Sequence, residues 1–310
     1  LLIKRFEVDS MVVCGLGEVL WDVFPDQEQF GGAPLNFCAN LQRLGHHATL
    51  LSAVGQDERG RVAIERMRQL GLNTDGICHV SGFPTGIATI SKAANGEPAF
   101  VIPRPAAFDQ VTVSPELLRT IKASGVGWFY FGTLLQTQPE MEHLTLSLLQ
   151  ELKPARGFYD MNLRTGHWDL PLVQRLSAHA SILKLNEAEA ETLWSLSETG
   201  ADEFSLEAFC GFWSAAYRID VICVTLGPAG CLIFQRSGIT RAPGYTVEVC
   251  DTVGSGDAFA AAFLHGYDQG WPMQQTARFA NALGALVASR AGATPPWTPD
   301  EVVAMSSLQA

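Results

Sequence analysis

Asp251-Thr252-Val253-Gly254-Ser255-Gly256-Asp257-Ala258-Phe259-Ala260-Ala261-Ala262-Phe263 is the stretch whose reading decides the fold. A strand-like run, residues 245–249, leads into it. Two glycines flank a serine in a turn, and an alanine- and phenylalanine-rich run follows with the composition of a buried helix. Glycines at a helix start let backbone N–H groups converge on an anion, because no Cβ blocks the approach. The helix dipole adds partial positive charge there. Asp257 sits at the mouth of this cradle. A carboxylate beside a phosphate site is electrostatically out of place unless it removes a proton or works with a metal. It reads as the base that deprotonates a hydroxyl about to attack a phosphoryl group. Aspartate in a first helical turn is also favoured by the dipole, and Gly-Ser-Gly is a common turn. On its own, the stretch serves the structural reading equally well.

The rest of the chain adds weight. Residues 11–16 form a continuous apolar run of the kind buried in a parallel sheet. Residues 19–24 alternate as a half-exposed strand does, with Asp22 as a polar exception. Asp22 suits either an edge-strand charge or a carboxylate that accepts hydrogen bonds from sugar hydroxyls. Gly31-Gly32-Ala33-Pro34-Leu35-Asn36 opens a helix that runs to Leu44 and is closed by Gly45. Asn36, one turn in, can reach a ligand over the helix end. Residues 48–54 read as the next strand, and Gly55-Gln56-Asp57-Glu58-Arg59-Gly60 leads to a helix through Leu70. Residues 86–92 and 97–103 read as a hairpin turned at Asn95-Gly96. With the 20–24 segment they can make a small separate sheet, a flap that excludes water from phosphoryl transfer. Arg104 follows, as a substrate contact or a surface charge. From residue 126 strand and helix alternate, with strands at 126–131, 157–161, 181–185 and 221–226, helices at 140–152 and 277–289, and polar or glycine residues gathered just after the strands. That pattern argues for a mostly parallel sheet with helices on both faces and a ligand crevice at the carboxyl ends of the strands.

Composition narrows the classes. The chain has 310 residues, 47 % of them hydrophobic, and 21 basic against 32 acidic residues give a formal charge of −11. This excess, with no basic run, argues against nucleic acid or an anionic membrane as partner. Seven scattered cysteines without a C-x-x-C pair read as buried hydrophobes in a reducing compartment, and argue against a zinc site. No apolar run approaches the roughly 18 residues of a spanning helix, and residues 11–14 are too short for a signal core, so a cytoplasmic location is expected. There is no Gly-Lys dipeptide, hence no P-loop. Gly15-Leu16-Gly17 lacks the third glycine of a dinucleotide fingerprint, since position 20 is leucine, which disfavours an NAD-dependent dehydrogenase. No G-x-S-x-G elbow occurs.

Gly31-Gly32-Ala33-Pro34-x-Asn36 with Gly55-Gln56-Asp57-x-x-Gly60 resembles the first signature of the PfkB (ribokinase-like) carbohydrate kinases. Asp251-Thr252-Val253-Gly254-Ser255-Gly256-Asp257-Ala258-Phe259 resembles the second, with serine where alanine is usual. The likeness covers essentially the whole chain. It implies a single ribokinase-like three-layer α/β sandwich over residues 1–310, with a small β lid from segments of about 19–31 and 85–106 that often forms homodimer contacts. It implies ATP-dependent phosphorylation of a sugar hydroxymethyl group. By the same resemblance Asp257 is the catalytic base and the backbone of Gly254, Ser255 and Gly256 the anion hole. Asp22, Gly31, Gly32 and Asn36 match sugar-binding positions. Asn186 and Glu189 match the N-x-x-E motif linked to Mg²⁺ and phosphate, with Glu189 acting through water. Thr225, Gly227 and Gly230 match the T-x-G-x-x-G nucleotide loop, and Asn281 a position near the adenine. Asp251, Val253, Val287, Arg290 and Gly292 align with a monovalent-cation (K⁺) site built mostly of backbone carbonyls.

Gly17-Glu18-x-x-Trp21-Asp22-x-x-Pro25 and Asp160-x-Asn162-x-Arg164 with Trp168 look like fructokinases and 2-keto-3-deoxygluconate kinases. Ribokinases usually carry lysine after the paired glycines, where this chain has Ala33. The resemblance therefore favours fructokinase, with Arg104, Asp160, Asn162 and Arg164 on the sugar side. Few cations lie there besides Arg104 and Arg164, which suits a neutral sugar, although one arginine can hold a carboxylate. A reading from another class, a sugar- or nucleotide-binding regulator on a kinase scaffold, predicts binding without ADP release.

Overall fold

The computed structural model describes residues 9–92, 98–153, 155–197 and 203–309. Among them the strands are β1 (Val12–Leu16), β2 (Leu20–Val23), β3 (Glu28–Gly31), β4 (His47–Gly55), β5 (Ile77–Val80), β6 (Gly86–Lys92), β7 (Pro98–Val101), β8 (Trp128–Gly132), β9 (Arg156–Asp160), β10 (Ile182–Asn186), β11 (Val221–Thr225), β12 (Cys231–Gln235) and β13 (Gly238–Ala242). The helices are α1 (Ala33–Arg43), α2 (Glu58–Gln69), α3 (Pro115–Ala123), α4 (Pro139–Glu151), α5 (Leu170–Ser177), α6 (Glu187–Leu196), α7 (Leu206–Tyr217), α8 (Ser255–Asp268), α9 (Met273–Ala288) and α10 (Pro299–Ser306).

Nine strands form the central sheet in the order β13-β12-β11-β10-β9-β8-β1-β4-β5. Its ladders are parallel except at the β11–β12–β13 edge. The apolar runs are continuous because both faces are covered. In β8, Trp128 and Tyr130 pack toward α1, α2, α8, α9 and α10, while Phe129 and Phe131 pack toward α3 to α7. This gives three layers, helices on both faces of a mostly parallel sheet.

A second sheet, β3-β2-β6-β7, stands apart from the first. Its β2–β6 ladder is parallel and the other two are antiparallel. The expected Asn95-Gly96 turn lies outside the described residues. Asp57 ties this sheet to the body: it N-caps α2 through Gly60 N–H (2.8 Å) and also accepts from Thr85 N–H (2.8 Å) and its hydroxyl (2.6 Å), just before β6.

The run at residues 245–249 is not a strand. Pro243, which cannot donate to a ladder, and Gly244 turn the chain off edge strand β13. Helices α1 and α8 lie side by side. Near their C-terminal ends His46 Nδ1 accepts from Met11 N–H (3.4 Å), which places the His46 proton on Nε2, 2.7 Å from His265 Nδ1. Burial lowers both histidines, to about 4 for His46 and about 3 for His265, so the pair is neutral in the fold. No helix among the described residues is long and apolar enough to cross a membrane.

Candidate active site

A cavity of about 310 Å³ opens at the carboxyl ends of the central strands, with Leu20 and Ala88 of the small sheet and Ile102, just after β7, forming one wall. Asp22, Gly32, Asn36, Asn162, Arg164 and Asp257 meet in it, though they are scattered over more than two hundred positions. A second, more apolar cavity of about 370 Å³ lies between the Thr225–Gly230 turn, the 244–249 segment and α9. Thr225, Thr252 and Gly256 line both, so the two cavities adjoin at the start of α8.

That start is shaped by Gly254, the N-cap of α8, at φ 78°. A Cβ there would come within 2.2 Å of the Ala293 carbonyl oxygen, so only glycine lets the two loops approach. Ser255 N–H bonds back to Thr252 O (3.3 Å), and Ser255 Oγ donates to the same carbonyl (2.9 Å). The serine hydroxyl is thus not presented to the cradle, and Ser255 is not one of its free amides. The N–H groups of Gly256 and Asp257 have no acceptor among the described residues. These amides sit at the positive end of the helix dipole.

Asp257 is 7 % exposed, and its Oδ2 accepts from Asn36 Nδ2 at 2.8 Å. Burial, reinforced by the Asp160 charge, pushes its carboxyl up to about 6, while Lys184, the Asn36 hydrogen bond and Arg164 pull the other way. Asn36 Oδ1 is buried and unpartnered, an acceptor in wait for a ligand donor. Burial likewise raises Asp22 to about 6, against the pull of Arg164.

Two residues at the site were not anticipated. Lys184 is buried and pairs with Asp160 (2.9 Å). A Cβ on Gly256 would lie 3.3 Å from Lys184 Nζ, so the ammonium abuts the cradle. Burial lowers its pKa, but the charges of Asp160 and Asp257 outweigh that and keep it raised. The signal was a lone lysine in the apolar run Ile182-Leu183-Lys184-Leu185. Glu18 Oε1 accepts from Ala33 N–H (3.3 Å) at the head of α1, and burial raises its carboxyl to about 7.

Several expected residues take other places. Asp160 is fully buried behind the cavity, held by Lys184 and by the Tyr130 hydroxyl (3.0 Å), so it orients the lysine and does not line the main cavity. Arg104 is neither in the cavity lining nor on the surface: its guanidinium pairs with Asp109 and donates to Leu134 O (2.7 Å) and Thr137. Gly31 supports from behind, facing Asp22 and Ala293. Asn186 and Glu189 form a capping box on α6, with Asn186 Oδ1 taking Glu189 N–H (2.9 Å) and Glu189 Oε2 taking Asn186 N–H (2.8 Å). Glu189 Oε1 takes Leu163 N–H (2.6 Å), and burial raises its pKa. Both residues line the first cavity. Thr225, Gly227, Gly230 and Asn281 line the second, but Asn281 Nδ2 is committed to Ala242 O (3.1 Å) and Pro243 O (3.0 Å). Asp251 joins two loops, accepting from Val253 N–H (3.0 Å) and Gly292 N–H (3.2 Å), while Arg290 N–H bonds to Val287 O (3.0 Å).

The family model described as "pfkB family carbohydrate kinase" matches residues 14–300, and the chain belongs to that family. It is a carbohydrate kinase. Fructokinase-1 of Oryza sativa subsp. japonica is 29 % identical over 97 % of this chain and 98 % of its own length. Fructokinase-1 of Zea mays is 31 % identical over 86 % and 84 %. Among solved structures, a Xylella fastidiosa fructokinase with bound ATP matches at TM-score 0.82 and 23 % identity, covering 97 % of this chain and 98 % of that one. The 2-dehydro-3-deoxygluconokinase of Thermotoga maritima matches at 0.80 and 22 %, covering 96 % and 99 %. At these identities the structural likeness speaks to the fold.

Proposed function

We propose that this chain is a fructokinase that transfers the γ-phosphoryl group of ATP to a hydroxymethyl group of fructose. The observation that carries the reading is the junction of two cavities at Gly256, with Asp257 on the polar side of it. The fructokinases among the relatives support the choice of sugar. In this reading the chain is one kinase domain, and segments of about 19–31 and 85–106 are its lid and a surface for a homodimer.

The sugar occupies the polar cavity, its hydroxyls donating to Asp22 and to the unpartnered Asn36 Oδ1. ATP lies in the second cavity with its terminal phosphate over the Gly256 and Asp257 amides. Asp257 takes the proton of the attacking hydroxyl as the new O–P bond forms and the bond between the γ-phosphorus and the β,γ-bridging oxygen breaks, releasing ADP. The free amides and Lys184 balance the charge on the phosphoryl oxygens in a site the small sheet shields from water.

The residues present fit a Mg²⁺ ion held through water. Both Glu189 oxygens already take a backbone N–H, and no group of three acidic, histidine or cysteine side chains suited to a metal occurs among the described residues. Mg²⁺ commonly keeps its waters and leans on substrate phosphates, and Glu189 with Asn186 would hold it, where it neutralises phosphate charge. The Asp251 and 287–292 loops stand close enough for a K⁺ site, which a comparison of turnover in KCl and in NaCl tests.

One feature favours 2-keto-3-deoxygluconate as acceptor: Arg164 lines the cavity with no ion-pair partner among the described residues, ready for a carboxylate. ADP release measured with fructose, 2-keto-3-deoxygluconate, ribose and adenosine tests both readings. Turnover of fructose above the others is expected. Turnover of the keto acid with fructose silent transfers the assignment, and binding without any ADP release would leave a non-catalytic regulator.

A further inference from the structure

Behind Asp257 runs a chain of hydrogen bonds whose remote members line neither cavity. Asn36 Nδ2 donates to Asp257 Oδ2, Asn40 Nδ2 donates to the Asn36 backbone oxygen, and Trp297 Nε1 donates to Asn40 Oδ1, each at 2.8 Å. Asn40 is 1 % exposed and Trp297 5 %. Asn40 lies one turn beyond Asn36 on α1, among Phe37, Ala39 and Leu41, all buried. An amide is costly in such surroundings unless both ends are paired. Here both are, and the orientation is fixed, because a flipped Asn40 would set its NH₂ against the indole N–H. Trp297 is itself held: the Arg43 guanidinium stands 5.2 Å from its ring centroid while Arg43 Nη1 donates to Pro295 O (2.6 Å).

At the start of α1 the N-cap residue, Gly32, offers no side chain; Glu18 Oε1 takes the Ala33 N–H there, and the Asn40 bond to the Asn36 backbone oxygen steadies the same turn from its far end. We propose that Asn40 and Trp297 are positioning residues for the Asn36–Asp257 pair, setting the Asn36 amide against both the base and the phosphoryl acceptor. The inference rests on Asp257 being the base. It predicts that loosening Asn40 disturbs acceptor binding and proton removal together. ATP binding is spared, because Asn36 does not line the second cavity.

The test uses Trp297→Phe, which keeps an aromatic ring beside Arg43 but removes the N–H together with part of the indole, and Asn40→Leu, which removes both bonds with a side chain of the same branching. With fructose, or with 2-keto-3-deoxygluconate if that is the acceptor turned over, kcat/KM for the acceptor should fall about tenfold or more, the scale of one lost hydrogen bond. KM for ATP should stay within about twofold, and the acid limb of the pH profile should move to higher pH, because the Asn36 bond is one of the interactions that hold Asp257 down. In ¹⁵N-tryptophan-labelled parent protein, adding the acceptor should shift the indole resonance that is missing from Trp297→Phe. Parent-like kcat/KM and acid limb with only a lower Tm would make Trp297 a mere anchor of the C-terminal segment and overturn the proposal. An active Asp257→Asn would instead overturn the base assignment beneath it.

Discussion

Asparagine at position 257 is expected to stabilise the fold while it removes activity. The Asp257 carboxyl is raised from 3.8 to about 6, chiefly by burial. The folded protein therefore binds this proton more tightly than the unfolded chain does, and ionising it costs stability. The penalty is full above about pH 6 and fades as pH falls through the ordinary carboxylate value. At pH 7.5 it amounts to about 3 kcal/mol, and at pH 5 to about half of that. Asparagine carries no charge and still offers an oxygen to Asn36 Nδ2. For a chain of 310 residues a gain of about 3 kcal/mol raises Tm by roughly 4–5 °C. Loss of the general base should lower kcat by about 10²- to 10⁴-fold. Scanning calorimetry at pH 7.5 and 5, beside coupled ADP release, measures both effects. A Tm at or below the parent's at pH 7.5, or a kcat within tenfold of it, would refute the reasoning. The parent's own kcat/KM should decline on the acid side with an apparent pKa near 6.

Gly254→Ala puts a Cβ 2.2 Å from Ala293 O at a positive φ; conformational strain of about 1–2 kcal/mol and a displaced loop should cut kcat about 100-fold with the circular dichroism spectrum retained, and a variant of parent activity would show that the cradle does not depend on this approach. Arg164→Ala should raise KM for 2-keto-3-deoxygluconate more than KM for fructose, a difference that steady-state kinetics with both acceptors reads directly. The His46–His265 pair should make the fold acid-sensitive. Both values lie below the ordinary 6.5, so their contribution is complete above about pH 6.5 and is lost as pH falls toward 4, by about 2–3 kcal/mol per histidine at pH 4.5. Urea unfolding at pH 7 and pH 4.5 should show a smaller drop for the His46→Gln/His265→Gln double variant, and equal drops would exclude the pair as the cause.

What the sequence made legible was what is local. A continuous apolar run marked β1 as a strand covered on both faces, the alternation of strand and helix marked β8 and β10, and Gly254 to Asp257 could be read as a cradle because its parts are adjacent. Glu28-Gln29-Phe30-Gly31 is short and mostly polar, and it becomes β3 only by pairing with β2. The β12–β13 hairpin went unread although Ser237-Gly238 marks its turn. The alternation at residues 245–249 suggested a strand, but strand identity requires a neighbouring edge, which Pro243 and Gly244 steer the chain away from. Lys184, Glu18 and the burial of Asp160 depend on which strand ends converge, and a linear pattern does not carry that. Asn186 and Glu189 looked like ligand groups alone, yet their spacing also satisfies a helix end.

The polar clasps between α1 and α8 set how the molecule can move. Asn36–Asp257 rivets the two helices at one end and the histidine pair at the other, so α1 cannot slide along α8 without breaking one of them. Any swing of the β3-β2-β6-β7 sheet must then be absorbed at the joints between its strands and the body, Gly31–Gly32 between β3 and α1 among them. The carboxylate and the amide that orients it ride together on the stationary half.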